Sequence, residues 1–282
     1  MRIIKTIKEM QALSIEFRSG GKSLGFVPTM GALHDGHLSL VKKSMEDNDI
    51  TVVSIFVNPT QFGPEEDFDQ YPRDLEGDIK KLSSYDLDCI FLPDNKEMYP
   101  DGISTSINIG VAGDILCGVS RPGFFNGVAT VVEKLFNIVM PDRAYFGQKD
   151  FQQTVVIREL VRERNLNIDI AVCPIIREDD GLAMSSRNVY LSSEERNSAL
   201  IIYKALQHAE LILSKGMENA NSVKIEIEKL IKSEPLAKIE YIEIVNPRDL
   251  KSLTVINEPA IICIAVSIGR TRLIDNLMVN IQ

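Results

Sequence analysis

Cysteine is scarce in this chain. Four are present among 282 residues, Cys89, Cys117, Cys173 and Cys263, far apart and with no Cys-x-x-Cys pair. They sit mostly in apolar runs such as Asp88-Cys89-Ile90-Phe91-Leu92. That pattern argues against a disulfide framework or a zinc site and for buried free thiols in a reducing cytoplasm. Long apolar runs are also missing. No stretch approaches the roughly 18 residues of a membrane helix, and the N-terminus has no apolar core of signal-peptide length. The expectation is a cytoplasmic protein with no membrane association. Cations are in deficit, with 31 Lys and Arg against 40 Asp and Glu, a net charge of −9. Nucleic-acid binders neutralise phosphates and usually carry a basic surplus, so no nucleic-acid partner is expected. A small anion remains open, because a local cluster of cations and backbone N–H groups binds phosphate on an acidic protein too.

What is present reads as a soluble two-domain protein. Hydrophobic residues make up 44% and charged residues 25%, with no low-complexity tract. At roughly 100–200 residues per domain, the length suggests two domains. The first two-thirds alternates apolar β-type runs (24–28, 51–57, 88–92, 107–111, 143–146, 168–173) with helical periodicity (38–46, 74–83, 127–139, 151–164). Strands that are nearly continuously apolar, such as Val52-Val53-Ser54-Ile55-Phe56-Val57, fit a parallel sheet covered by helices on both faces. The texture changes at the polar, turn-forming Arg177-Glu178-Asp179-Asp180-Gly181, a candidate hinge. Beyond it come an N-cap signal at Ser192, helices to about 215 and over 219–233, and strands at 239–245, 260–267 and 276–279. The fold class expected is α/β: a Rossmann-like parallel-sheet domain over residues 1–176, then a smaller α+β domain over 177–282.

The chemistry concentrates at strand–turn–helix junctions. In Val27-Pro28-Thr29-Met30-Gly31-Ala32-Leu33-His34-Asp35-Gly36-His37-Leu38 a strand ends at Pro28 and a helix begins near Gly36. Such junctions, at the carboxyl ends of α/β strands, bind nucleotides, with phosphate attracted to the N–H groups of the new helix. Gly31 and Gly36 permit close approach of backbone to ligand. Two of the three histidines, His34 and His37, lie here at i,i+3 spacing, and both can donate to phosphate oxygens. A surface pair or half of a zinc site are the alternatives, and the zinc reading lacks third and fourth ligands. His208 lies on a helical stretch and reads as a solvated residue.

Other segments carry the same logic. Phe56-Val57-Asn58-Pro59-Thr60-Gln61-Phe62 follows a strand, and Gln61 is neutral and can donate and accept, which suits a hydroxy acid; a plain turn is the alternative. Phe146-Gly147-Gln148-Lys149-Asp150-Phe151-Gln152-Gln153 joins strand to helix, with Lys149 a mobile charge for phosphates and Asp150 a candidate cap. Met184-Ser185-Ser186-Arg187 offers two hydroxyls and a guanidinium, a phosphate clamp or a linker turn.

The first of these strings resembles the HIGH-type signature of the nucleotidylyltransferase superfamily, whose Rossmann-like core is shared with class I aminoacyl-tRNA synthetases. The longer run from Pro28 to His37 is similar to the pantothenate synthetase (pantoate–β-alanine ligase) family, and the other three segments match that family in its order. The resemblance spans most of the first 191 residues. It implies an ATP site formed by Met30, Gly31, Ala32, Leu33, His34, Asp35, Gly36 and His37, by Gly147, Gln148, Lys149 and Asp150, by Ile176 on the adenine side, and by Met184, Ser185, Ser186 and Arg187. The last four resemble a KMSKS-type signature and are expected to close over ATP as the second domain moves. Gln61 and Gln153 would hold pantoate, and Gln61 β-alanine as well. His37, His34 and Lys149 would be the catalytic side chains.

The resemblance further implies ATP as a substrate used with Mg²⁺, with no protein metal site assigned, and a homodimer. The activity implied is adenylation of the pantoate carboxylate, then attack by the β-alanine amine to give pantothenate and AMP. The sequence departs from the family at Phe124, where His is common; packing is the reading there. A nucleotidylyltransferase of the same superfamily and a non-catalytic nucleotide-binding module are the rivals. The first should need extra cations for a second phosphate, and Gln61 and Gln153 are neutral.

Overall fold

A computed structural model describes residues 1–63, 66–103 and 106–279. The chain forms two compact units, Met1–Gly147 with Val156–Pro174, and Gln148–Val155 with Ile175–Gln282. In chain order the first unit runs β1 (Arg2–Ile4), α1 (Ile7–Ser19), β2 (Leu24–Thr29), α2 (Asp35–Asp47), β3 (Ile50–Ile55), α3 (Leu75–Leu82), β4 (Cys89–Phe91) and short helices α4 (Asn95–Met98), α5 (Val111–Asp114) and α6 (Cys117–Ser120). It continues through α7 (Phe124–Val139), β5 (Arg143–Gly147), α8 (Phe151–Glu163, shared with the second unit) and β6 (Asp169–Cys173).

Its sheet is parallel throughout, in the order β1-β4-β3-β2-β5-β6. The order reverses between β2 and β5, so the crevice outside their carboxyl ends is the site such sheets favour for ligands. β3 is buried at every position, as its apolar run predicts. Val27, Val53, Ile90 and Tyr145 of the strands pack with Leu40 and Val41 of α2 and Leu82 of α3 in one core cluster.

The second unit is α+β. Helices α9 (Ser193–Ser198), α10 (Leu200–Ser214) and α11 (Ala220–Ile231) precede β7 (Ala237–Val245), β8 (Ala260–Ile268) and β9 (Thr271–Val279), an antiparallel sheet in the order β7-β8-β9. Ile202, Leu206, Val223 and Ile227 of its helices share a core with Ile244, Ile262, Ile264 and Val266 of its strands. Ser192 caps α9 as expected, in a capping box closed by Glu195.

The fold class is thus as read from the sequence, and several elements are corrected. Residues 107–111, expected as a strand, are not one. Two of their N–H groups are taken by side chains of α7, Ile107 by Thr130 Oγ1 at 2.9 Å and Ile109 by Asn126 Oδ1 at 3.1 Å, Gly110 turns the chain at φ 65°, and Val111 begins α5. β9 begins at Thr271, five residues before the strand expected at 276. β1 and α1 lie outside the elements read from sequence, although Thr6 caps α1 and its hydroxyl donates to Glu9, a recognisable Thr-x-x-Glu start. The stretch 177–181, the candidate hinge, lies in a hairpin: Arg177 bridges Ala183, Met184 N–H donates to the Ile176 carbonyl at 3.0 Å, and Glu178 N–H to the Leu182 carbonyl at 2.8 Å. All four cysteines are free and buried.

Candidate active site

The turn after β2 is held by α3. Thr29 Oγ1 donates to the Ser54 carbonyl and accepts from Gly31 N–H at 3.2 Å, so the turn starts pinned to β3. Gly31 and Ala32 then adopt positive φ, 83° and 50°. At Gly31 a Cβ would lie 3.0 Å from Asp78 Oδ2 and 3.2 Å from Ile55, so glycine suits both the conformation and the space. Asp78, 1% exposed, explains how Ala32 is kept in its strained geometry. Its two carboxylate oxygens accept from Ala32 N–H at 2.8 Å and Leu33 N–H at 2.7 Å. One turn along α3, Lys81 Nζ donates to the Leu33 carbonyl at 2.5 Å, so the Leu33 residue is gripped at both its N–H and its C=O. The Leu33 side chain is sunk in the core.

His34 and His37 form the cap of α2. His34 Nδ1 accepts from Gly36 N–H at 3.2 Å, and His37 Nδ1 accepts from His34 N–H at 3.3 Å. Their ring centroids lie 4.1 Å apart at 41°. A nitrogen that accepts from the backbone carries no proton, so in each neutral ring the proton is on Nε2, the donor atom. The helix start differs here from the expected row of unpaired amides. Gly36 N–H goes to a ring and His37 N–H to the His34 carbonyl at 2.8 Å.

After β3, Asn58 is fully buried and ties down the next loop. Its Nδ2 donates to Thr60 Oγ1 at 2.7 Å and to the Gly127 carbonyl of α7 at 3.3 Å, while its Oδ1 accepts from Tyr99 at 2.9 Å. Gly127 is required there, since a Cβ would come within 2.0 Å of the Thr60 carbonyl oxygen. Residues 59–61 form one turn of 3-10 helix ending at the buried Gln61. The Gln61 carbonyl accepts from Arg121 at 3.1 Å, and Arg121 also makes a two-point ion pair with Glu66, 2.7 and 2.6 Å. The Arg121 guanidinium lies 3.5 Å from the Phe124 ring centroid, so Phe124 is a packing platform, as expected. In the neighbouring Tyr71-Pro72-Arg73-Asp74 stretch, Arg73 donates to the carbonyls of Phe68, Asp69 and Tyr71, and Asp74 caps α3.

The remaining candidates, apart from Gly147 at the end of β5, lie in the second unit. Gln148, Lys149 and Asp150 form a 3-10 turn leading into α8. Lys149 Nζ lies 3.9 Å from Asp150 Oδ2 with a fifth of its side chain exposed. Gln153 is partly buried on α8, and Ile176 and Met184 face each other across the hairpin. Ser185 caps the 3-10 helix Ser186–Tyr190, its Oγ accepting from Arg187 N–H at 3.3 Å. Its hydroxyl hydrogen is therefore directed elsewhere. Within this unit Arg177 pairs with the buried Asp275 at 2.6 and 3.0 Å and stacks over Tyr203 at 4.2 Å. Burial pushes the Asp275 carboxyl up from the usual carboxylate range, against the pull of Arg177.

A family model described as pantoate-beta-alanine ligase matches residues 2–278. The chain belongs to that family.

Its relatives cover it end to end. The pantothenate synthetase of Acetivibrio thermocellus is 53% identical over 281 residues, covering 100% of both chains. That of Caldicellulosiruptor bescii is 52% identical over 279 residues, covering 99% of each. The crystal structure of the Thermus thermophilus pantothenate synthetase superposes with a TM-score of 0.95 at 42% identity, covering 100% of both chains. A Francisella tularensis pantoate-beta-alanine ligase, solved with β,γ-ATP and β-alanine, gives a TM-score of 0.81 at 39% identity, covering 99% of this chain and 97% of that one. The pantoate–β-alanine ligase fold thus carries the four motif segments on ordered turns. Sequence reasoning missed most of the residues that hold these turns: Asp78 and Lys81 under the histidine turn, and Asp275 with Asn276. Arg121, under Gln61, stands in the string Arg121-Pro122-Gly123-Phe124-Phe125, which also resembles the family, but the string gave it no role. Asp78 reaches its partners from 45 and 46 positions away.

Proposed function

We propose that this chain condenses (R)-pantoate with β-alanine at the expense of ATP, through a pantoyl-adenylate intermediate. A carboxylate oxygen of pantoate attacks the α-phosphorus of ATP, and the bond from that phosphorus to pyrophosphate breaks. The β-alanine amine then attacks the acyl carbon. The C–O bond to AMP breaks, the nitrogen loses a proton, and pantothenate is released.

The observation that carries this reading is the double-histidine cap of α2 in a chain that matches the ligase family over its length. Each imidazole accepts at Nδ1 from a neighbouring backbone N–H, Gly36 for His34 and His34 for His37, which favours the tautomer that donates from Nε2. Donors fixed before the reaction stabilise charge developing on phosphate oxygens without reorganising. In this reading His34 and His37 serve ATP phosphates together with Lys149, Ser185, Ser186 and Arg187. Met30, Gly31, Ala32, Leu33, Asp35, Gly36, Gly147, Gln148, Asp150, Ile176 and Met184 line the nucleotide. Gln61 and Gln153 hold pantoate, and Gln61 also β-alanine. We assign the first unit to nucleotide and pantoate binding, and to the second the Met184–Arg187 segment acting on ATP.

Mg²⁺ enters with the nucleotide. Among the described residues no group of three or more His, Cys, Asp or Glu is arranged to hold a metal. Mg²⁺ bound mainly through phosphates and water needs no such cluster. Val111 and Val119, 75% and 72% exposed, support the homodimer, which sedimentation would detect as twice the mass of the 31.5 kDa chain. Among the described residues no helix is long and apolar enough to cross a membrane. The free thiols support a reducing, cytoplasmic location.

The test mixes purified protein with ATP, Mg²⁺, pantoate and β-alanine and follows AMP release as each component is omitted. AMP that depends on pantoate and β-alanine is expected. AMP formed equally without pantoate, or AMP transfer to a phosphorylated alcohol instead, would favour a nucleotidylyltransferase. ATP binding with no AMP under any condition would favour a non-catalytic module.

A further inference from the structure

Two consecutive residues of β9 hold two of the candidate ATP segments, and neither has a role in the reading above. Asn276 is 4% exposed, and its side-chain amide is fully engaged. Nδ2 donates to the Gln148 carbonyl at 2.9 Å and to the Lys149 carbonyl at 3.0 Å. Oδ1 accepts from Gln148 Nε2 at 3.1 Å. One planar amide therefore fixes two successive carbonyls and one side chain of the turn that presents Lys149.

The preceding residue does the equivalent for the other segment. Neighbouring residues of a strand point to opposite faces, so the Asp275 side chain leaves β9 on the other side. It is 4% exposed and takes both arms of Arg177, at 2.6 and 3.0 Å. Arg177 also donates to the Gly181 carbonyl at 3.1 Å, across the hairpin whose closing bond joins Met184 to Ile176. Ser185, Ser186 and Arg187 follow directly from that closing bond. Asp275 and Asn276 are coupled to each other as well, Asn276 N–H donating to Asp275 Oδ1 at 2.8 Å.

We propose that Asp275 and Asn276 are positioning residues of the nucleotide site: Asn276 sets the backbone that aims Lys149, and Asp275, through Arg177, sets the hairpin that delivers Ser185 to Arg187. The inference rests on the ATP roles proposed for those segments. Its physical basis is that β8 and β9 pair along their length, giving a rigid edge from which both turns are hung. A charged group displaced by about 1 Å from its phosphate can lose on the order of 10²-fold in rate.

Asn276→Asp tests this, because it keeps the shape and exchanges the donating NH₂ for an oxygen facing two carbonyls. The variant is compared with the unaltered protein below the melting temperature of both. ATP affinity is read by titration calorimetry, and kcat and the KM values for ATP and β-alanine from AMP release. Expected is a fall of roughly 10²-fold in kcat/KM for ATP, or the same loss in ATP affinity, with the β-alanine KM changed less than threefold. Asn276→Ser, which keeps one donor, should recover part of the loss. Should Asn276→Asp fail to fold, Asn276→Ser is read alone, with a loss of at least threefold expected. A lowered melting temperature with ATP constants inside those limits would assign Asn276 to stability alone and overturn the proposal. Absence of AMP from the unaltered protein would refute the ligase reading separately, with the calorimetric comparison still deciding this one.

Discussion

Asp78→Asn isolates the contact on which the histidine turn depends. The substitution keeps the side-chain shape, but only one of the two oxygens that accept from Ala32 and Leu33 survives. The other becomes an NH₂ pointed at an N–H. Hydrogen bonds to a charged group are worth about 1.5–3 kcal/mol each, and a buried donor left unsatisfied costs about 1–3 kcal/mol. With Asp78 only 1% exposed, water cannot replace the lost acceptor. A loss of roughly 2–4 kcal/mol in unfolding free energy follows. Urea unfolding followed by circular dichroism measures it. The same variant should raise the KM for ATP, because Ala32 loses the bond that stabilises its positive φ and the cap of α2 shifts with it. Destabilisation below about 0.5 kcal/mol, within the usual range for surface substitutions, with unchanged ATP kinetics would refute the assignment of Asp78 as the anchor of this turn.

Other expectations are more local. His37→Ala should lower kcat by about 10²–10³-fold, the usual cost of removing one transition-state donor, while circular dichroism reports an intact fold. Near-normal turnover would count against its role. Arg121→Ala frees Glu66 and the Gln61 carbonyl together, so the KM for pantoate should rise roughly tenfold with the KM for ATP little changed. An effect on ATP alone would contradict the placement of Gln61. Burial pushes the Cys89 thiol up to about 12, so its reactive thiolate is disfavoured in the folded protein at every pH below that. Iodoacetamide at pH 8 should therefore leave Cys89 unmodified in the native state and alkylate all four cysteines in urea. Labelling of native Cys89 would show that its pocket opens.

The sequence declared some of this plainly. Strands such as β3, buried on both faces, show a near-continuous apolar run, and the turns proposed to meet the nucleotide display glycine, histidine and serine. What stayed hidden is the support. Asp78 looks like an ordinary surface charge on a helical stretch and Arg121 like part of a turn, and only the fold brings them to backbone groups far away in sequence. Residues 107–111 read as a strand because Ile107 and Ile109 alternate with polar residues, yet α7 side chains rather than a neighbouring strand take their N–H groups. β9 read as starting at Asn276 because Arg272 and Asp275 interrupt the apolar pattern before it; Asp275 and Asn276 are the buried polar pair that anchors other segments. A polar residue inside a strand was the signal there, visible but without an address.

Activation of pantoate as its adenylate can be followed with ¹⁸O placed in the pantoate carboxylate. Attack by that carboxylate on the α-phosphorus, followed by cleavage of the acyl C–O bond, predicts one labelled oxygen in AMP for each pantothenate formed. Label retained wholly in pantothenate, or found in released phosphate with ADP as the nucleotide product, would contradict it.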